Sequence, residues 1–258
     1  MKVIREEIFI EPLNRSAIRY IALPKHYDES NKHYPVLYMH DGHNLFFEED
    51  SYAGVTWGVL DAYNNYKDLK DIIIVGLSCA NGIKRLNEYG PYPFEINVFN
   101  EEGIIPGGKG HVYLDYLVNE LKPMIDSNYR TLKDKDHTAI MGSSMGGVIS
   151  LYAGCKYPET FGLIGSVSGA YYVSPSAFRH CIKESDLSHI KKLYIDTGDE
   201  EVGGGNSSDY MISNAIMVDL LRQKLTQDRL QYQIIAGGKH HETDWAKRLP
   251  DILRYLFS

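Results

Sequence analysis

The sequence predicts an α/β domain, a mostly parallel sheet with helices on both faces that the chain enters through an antiparallel edge. Three observations carry this expectation. Residues 3–10 ("VIREEIFI") and 16–23 ("SAIRYIAL") alternate with the period of half-buried strands, and Pro12 and Asn14 between them mark a turn. Further along, the strand-like runs are continuously apolar, the pattern of strands covered on both faces. Helical periods fall between those runs, and strands alternating with helices imply parallel crossovers.

Taken in order, the buried strands are expected at 34–40 ("YPVLYMH"), 71–78 ("DIIIVGLS"), 137–142 ("HTAIMG"), 161–168 ("FGLIGSVS"), 192–198 ("KLYIDTG") and 230–238 ("LQYQIIAGG"). Leu114, Leu117, Val118, Leu121 and Ile125 share one helical face, and Pro123 should kink or tighten that helix. Similar periods occupy 148–156, 210–225 and 244–257. The chain shows no internal repeat or linker, so 1–258 is expected to be a single domain, which at this length buries roughly 75% of its unfolded surface. Segments 79–110 and 169–190, rich in Pro, Gly and Tyr, depart from this grammar and are candidates for pocket walls or a partial lid.

Composition narrows the function. The net charge of −7 with interspersed signs offers no basic stripe for phosphates, which argues against a nucleic-acid partner. No window approaches 18 uninterrupted apolar residues, and the N-terminus has no apolar core of a signal peptide, so a soluble cytoplasmic protein is expected. Cys79, Cys155 and Cys181 are an odd set without metal-ligand spacing, which argues against a disulfide framework and for a reducing compartment. Tyrosine outnumbers phenylalanine 20 to 8, and most of these rings are expected to be half-buried with hydrated hydroxyls.

The chemistry concentrates at Gly142-Ser143-Ser144-Met145-Gly146, a G-x-S-x-G match. A serine on a strained strand-to-helix turn needs neighbours two residues away with no side chain to clash. The pattern alone arises by chance in roughly one chain in ten of this length. Its frame adds the weight: "HTAIM" before it is strand-like and "VISLYAGCKYP" after it is helix-like. Ser144 therefore takes the nucleophile position. A phosphate-binding glycine turn is the weaker alternative, because neither G-x-x-x-x-G-K-[ST] nor G-x-G-x-x-G occurs.

A serine hydroxyl needs a base and an orienting acid, expected downstream in the order Ser, acid, His. Asp199-Glu200-Glu201 follow one expected strand and His240-His241-Glu242 follow the next. Open α/β sheets build sites at such strand ends. The amide after the nucleophile, Met145, and that of His43 in "VLYMHDGHNLF" are placed to bind an oxyanion. A rival reading takes His40, Asp41 and His43 as metal ligands with His240 or His241, but three inward ligands around so tight a turn are awkward. Tyr171 follows the strand expected beside the nucleophile strand and is a candidate wall for a planar acyl group.

With these residues in place the chain resembles the esterase D-like "putative esterase" family of α/β-hydrolases, which includes feruloyl and acetyl xylan esterases, S-formylglutathione hydrolase, siderophore esterases and mycolyltransferases. The resemblance spans nearly the whole chain through "PVLYMHDGHNLF", "LNEYGPY", "GGKGHVYLDYLVNELKPMID", "AIMGSSMGGVISLYAG", "YPETFG", "YIDTGDEE" and "GGKHHETDW". It implies the α/β-hydrolase fold, no metal or other cofactor, and a serine carboxylesterase acting on a small-molecule or carbohydrate-linked ester. An acyltransferase, a thioesterase or a siderophore esterase would use the same residues, and a noncatalytic binding domain would keep only the fold. The family's nucleophile falls on Ser144. Its histidine precedes an x-E-x-x-W run, which selects His240, and its acid lies three residues beyond a strand-end glycine, which selects Glu201.

Overall fold

The computed structural model describes residues 1–96, 103–203 and 205–258. Strand β1 (Lys2–Ile10) pairs antiparallel with β2 (Arg15–Leu23), from Lys2 opposite Leu23 to Ile10 opposite Arg15. Asn14, at φ 49°, takes the left-handed conformation that closes the intervening turn. Six more strands follow: β3 (Val36–Met39), β4 (Ile73–Leu77), β5 (Thr138–Ser143), β6 (Leu163–Val167), β7 (Lys192–Gly198) and β8 (Leu230–Ile235). They form one sheet in the order β1-β2-β4-β3-β5-β6-β7-β8, antiparallel as far as β4 and parallel from there on.

Side chains alternate across this sheet and divide the core in two. Val36, Tyr38, Ile73, Val75 and Ile140 face one way and pack with α3 (Gly110–Tyr116), α5 (Met145–Lys156), α6 (Pro175–Glu184) and α7 (Ser207–Leu221). Leu37, Met39, Ile74, Ala139 and Met141 face the other way, onto α1 (Val59–Asn65) and α8 (Glu242–Leu256). The remaining helices are α2 (Ile83–Tyr89) and α4 (Lys122–Asn128). Every residue of β3, β4, β5 and β6 is buried, which explains their continuously apolar sequences.

Three expectations need correction. Around Pro123 the helix widens where tightening was one expectation: α3 and α4 are joined by a π-helical stretch, Leu117–Leu121. Proline has no N–H to give to the carbonyl four residues back, and a widened turn relieves its ring as well. Strand β8 is not buried throughout, because it is an edge strand, and Ile234 is exposed. The tyrosines are more deeply placed than expected, with Tyr20, Tyr38, Tyr89, Tyr113, Tyr171, Tyr194 and Tyr210 among the largest fully buried side chains. Several of their hydroxyls find protein partners, as Tyr20 does on Asp50 and Tyr113 on His40, each at 2.8 Å, whereas the Tyr38 hydroxyl has none among the described residues. Among the described residues no helix is long and apolar enough to cross a membrane.

Candidate active site

Ser144 stands between β5 and α5 with φ 58° and ψ −123°, a conformation that costs a non-glycine residue roughly 1–3 kcal/mol. Its surroundings over-determine it. The Ser144 N–H donates to the Val167 carbonyl at 3.0 Å, and its own carbonyl accepts from the amides of Gly147, Val148 and Ala170. The glycines two residues away are required by contact: a Cβ on Gly142 would lie 2.9 Å from the His40 ring, and one on Gly146 3.3 Å from His40 Cβ. His40 thus packs beneath the turn. Its Nδ1 meets the Tyr113 hydroxyl at 2.8 Å, and burial lowers its pKa to about 3, so the ring is neutral.

The acid and the histidine leave the sheet side by side. A Cβ on Gly198 would sit 2.0 Å from the Gly238 carbonyl oxygen, so the loops after β7 and β8 touch backbone to backbone. The amides of Asp199 and Glu200 donate to the carbonyls of Ile235 and Gly238, and Asp199 accepts from the Gly237 N–H at 2.7 Å. These bonds account for Asp199 as a loop fastener, while Glu200 is exposed near Lys239. Glu201 turns inward, with Oε2 2.6 Å from His240 Nδ1. Its Oε1 accepts from the Gly198 N–H at 2.8 Å and the Ser168 hydroxyl at 2.5 Å. Burial alone would raise this carboxyl, but the bonds from His240, Ser168 and Gly198 outweigh it and hold the pKa below its usual value. His241 points elsewhere: it is the N-cap of α8 and accepts from the Thr243 N–H.

Ser144 and His240 open onto one cleft of about 510 Å³, whose walls include Asn44, Tyr52, Cys79, Arg85, Leu86 and Trp245. No hydrogen bond joins the Ser144 hydroxyl to His240 among the described residues. The nearest partner of His240 Nε2 is the Tyr210 hydroxyl at 3.5 Å, on the limit of hydrogen bonding. Tyr210 packs on the His240 ring from one side and Trp245 meets it edge-on from another, with centroids 4.8 and 5.0 Å away. Neither the Met145 nor the His43 amide donates to a protein acceptor among the described residues, so both N–H groups are available to a ligand.

On the wall formed by the β3 and β4 loops, Asp41 and Arg85 make a two-pronged ion pair at 2.7 and 2.8 Å. Burial opposes the Asp41 charge, but Arg85 prevails and holds the carboxyl at about 2. Potential metal-ligand atoms of Asp41, His43 and Cys79 lie within 4.8 Å of one another. This differs from the ligand set the sequence suggested, since His40 is turned onto Tyr113 and Cys79 takes its place. Both Asp41 oxygens are already committed to a guanidinium, whose charge opposes a cation there.

Tyr171 does not line the cleft. It is fully buried, its hydroxyl on Ser166 at 2.5 Å and its ring edge-on to Phe178. Segment 169–190 accordingly supplies core through α6 instead of a lid. Of segment 79–110, Cys79 to Leu86 does form wall, whereas residues 97–102 lie outside the described residues. Sequence reasoning missed Arg85, Tyr210, Asp196, Ser168 and Arg248. Ser168 follows the apolar strand β6 at φ 46°, a turn visible only in the structure, and no local pattern in the sequence distinguishes any of the five.

Known proteins share this fold. The chain is 27% identical over 242 residues to the YbbA protein of Bacillus subtilis (strain 168), covering 91% of this chain and 90% of that one. Its fold superposes on an IroE-like serine hydrolase from Shewanella oneidensis with a TM-score of 0.78 at 20% identity, over 99% of this chain and 80% of the other. A ferulic acid esterase superposes with a TM-score of 0.71, also at 20% identity, over 98% of each chain. The sheet order and helix placement are those of an α/β-hydrolase. Residues 10–256 match the family described as "Putative esterase", and the chain belongs to that family.

Proposed function

We propose that the protein is a serine carboxylesterase that works through an acyl-enzyme on Ser144. The observation that carries this reading is the 2.6 Å contact between Glu201 and His240 on the cleft into which the strained Ser144 turn opens. A carboxylate on Nδ1 fixes the proton there and leaves the Nε2 lone pair to act as base. Ser144 Oγ then attacks the ester carbonyl carbon as its proton passes to His240 Nε2. The resulting oxyanion is held by the Met145 and His43 amides. Collapse breaks the bond to the alcohol oxygen, which takes the proton from His240, and water repeats the cycle to release the acid. The Ser144–His240 hydrogen bond forms as substrate enters, as is common for catalytic pairs that stand apart when empty.

Feruloyl or acetyl esters of plant-wall carbohydrate and short acyl esters fit this reading, and the walls that would choose among them are the loops around Tyr52 and Cys79 and the helix face at Leu86. The test is a panel of methyl ferulate, acetylated xylan, short-chain p-nitrophenyl esters, a thioester and a trilactone siderophore, run on the wild type and on Ser144→Ala. Ser144→Ala is expected to lose about 10⁶ in turnover on every substrate accepted. A Ser144→Ala protein retaining a tenth of wild-type turnover would refute the assignment.

A further inference from the structure

We infer that Ser168 is a positioning residue that fixes the Glu201 carboxylate and, through it, the tautomer of His240. This rests on the proposed roles of Ser144, His240 and Glu201. Ser168 lies one residue beyond β6, fully buried, at φ 46°. Its backbone N–H is shared between the Asp196 carbonyl and Asp196 Oδ1, both at 3.0 Å, which holds that unusual turn in place.

The side chain is where the constraint becomes directional. Ser168 Oγ lies 3.0 Å from Trp245 Nε1, 3.2 Å from Arg248 Nη2 and 2.5 Å from Glu201 Oε1. Indole and guanidinium nitrogens can only donate, so both lone pairs of the hydroxyl are taken. Its single proton is left with one destination, Glu201 Oε1. That oxygen also receives the Gly198 N–H, while among the described residues Oε2 meets only His240. The two carboxylate oxygens are therefore unequal: one is saturated by donors, and the other is presented as a bare acceptor to Nδ1–H.

Behind Ser168 the donors are themselves anchored. Arg248 Nη1 lies 3.4 Å from Asp196 Oδ2, which also accepts from the Tyr194 hydroxyl at 2.8 Å. The charged and titratable groups facing this unit are Asp196 and Tyr194 on β7, Arg248 on α8, Tyr210 on α7 and His240 itself. All of them remain when only the Ser168 hydroxyl is removed. Glu201, losing one donor, then becomes a stronger base and binds the imidazolium more tightly. The acidic limb of the kcat/KM profile should move to higher pH.

The experiment compares Ser168→Ala and Ser168→Gly with the wild type on p-nitrophenyl butyrate from pH 5 to 9, with Ser144→Ala as reference. Glycine tolerates φ 46° and separates backbone strain from the lost hydroxyl. Both variants are expected to lose about 10- to 100-fold in kcat, the range of a hydrogen bond to a charged group, with KM within about twofold and the acidic limb raised. An unmoved limb with unchanged kcat, whatever the melting temperature, overturns the inference, as does a loss seen in Ser168→Ala but not in Ser168→Gly. If Ser144→Ala is inactive while the Ser168 variants keep the wild-type profile, this inference alone fails. An active Ser144→Ala instead removes the reading beneath it.

Discussion

Both carboxylate oxygens of Glu201 meet hydrogen-bond donors, whereas the amides of His43 and Met145 elsewhere on the same cleft meet no protein acceptor among the described residues. The β6, β7 and β8 ends are zipped together by backbone bonds, a buried ion pair and the indole of Trp245. The β3 end presents the open N–H of His43 and the exposed ring of Tyr52, and the start of α5 presents the open N–H of Met145. Under the proposed mechanism the first region is finished before substrate arrives, and the second is completed by it. Proton transfer needs fixed geometry in advance, because reorganisation during reaction adds to the barrier. Oxyanion donors must instead be left unpaired until charge develops.

The largest effect that separates these regions is expected in Glu201→Gln. The Gln carbonyl will keep the Oε1 place, where Ser168 and Gly198 both donate, and the amide NH₂ will face His240 Nδ1. His240 must then carry its proton on Nε2, the wrong nitrogen for a base. Turnover should fall by about 10⁴ with little change in melting temperature, as kinetics and calorimetry on one preparation can check. Substitution of Asp199 to Asn should cost far less, and a reversed ranking would shift the acid to Asp199.

On the opposite wall the expected effect is smaller and appears in stability. Beside Arg85 the Asp41 carboxyl is held at about 2 in the fold, below its ordinary value of 3.8. A depressed carboxyl stabilises fully above its unfolded value and loses that contribution as pH falls towards about 2, which amounts to about 2 kcal/mol here. In Arg85→Met burial is opposed only by the weaker influences of His43 and Cys79, and the Asp41 pKa rises. The stability that Asp41 gains as pH rises through the acidic range then shrinks. Denaturant titrations at pH 3 and 7 should show wild-type stability increasing across that interval relative to Arg85→Met, and parallel curves would remove Arg85 as the cause.

Much of this arrangement was legible in the sequence because it is local. The elbow is five consecutive residues with a strand before and a helix after, and the observed β5 and α5 flank Ser144 as that pattern requires. Strand β7 was expected at 192–198 and is found there, since an apolar run ending in Gly198 leaves little freedom. Helices α1 and α2 went unread: each has seven residues, too few for a periodic signal to emerge. Tyr171 was misplaced because adjacency to a strand end does not say which way a ring turns, and Ser166 and Phe178 turn it into the core. Ser168, Arg248 and Asp196 converge from three separated segments, a relation that spacing along one chain cannot reveal.

A smaller effect checks that correction. Tyr171→Phe removes the hydroxyl bond to Ser166 and should cost about 1 kcal/mol in stability. The ratio of kcat/KM for methyl ferulate to that for p-nitrophenyl acetate should stay constant. A selective loss on methyl ferulate would return Tyr171 to the pocket wall.

The central claim is that one finished acid–histidine unit, Glu201 with His240, activates one serine, Ser144. It is tested most directly by fluorophosphonate labelling with the modified peptide mapped by mass spectrometry, in wild type, His240→Ala and His241→Ala. The account predicts label on Ser144 in the wild type, labelling slowed by orders of magnitude in His240→Ala, and near-normal labelling in His241→Ala, whose lost helix cap costs only about 1 kcal/mol of stability. Label on Ser143, or full labelling of His240→Ala alongside loss in His241→Ala, would contradict it.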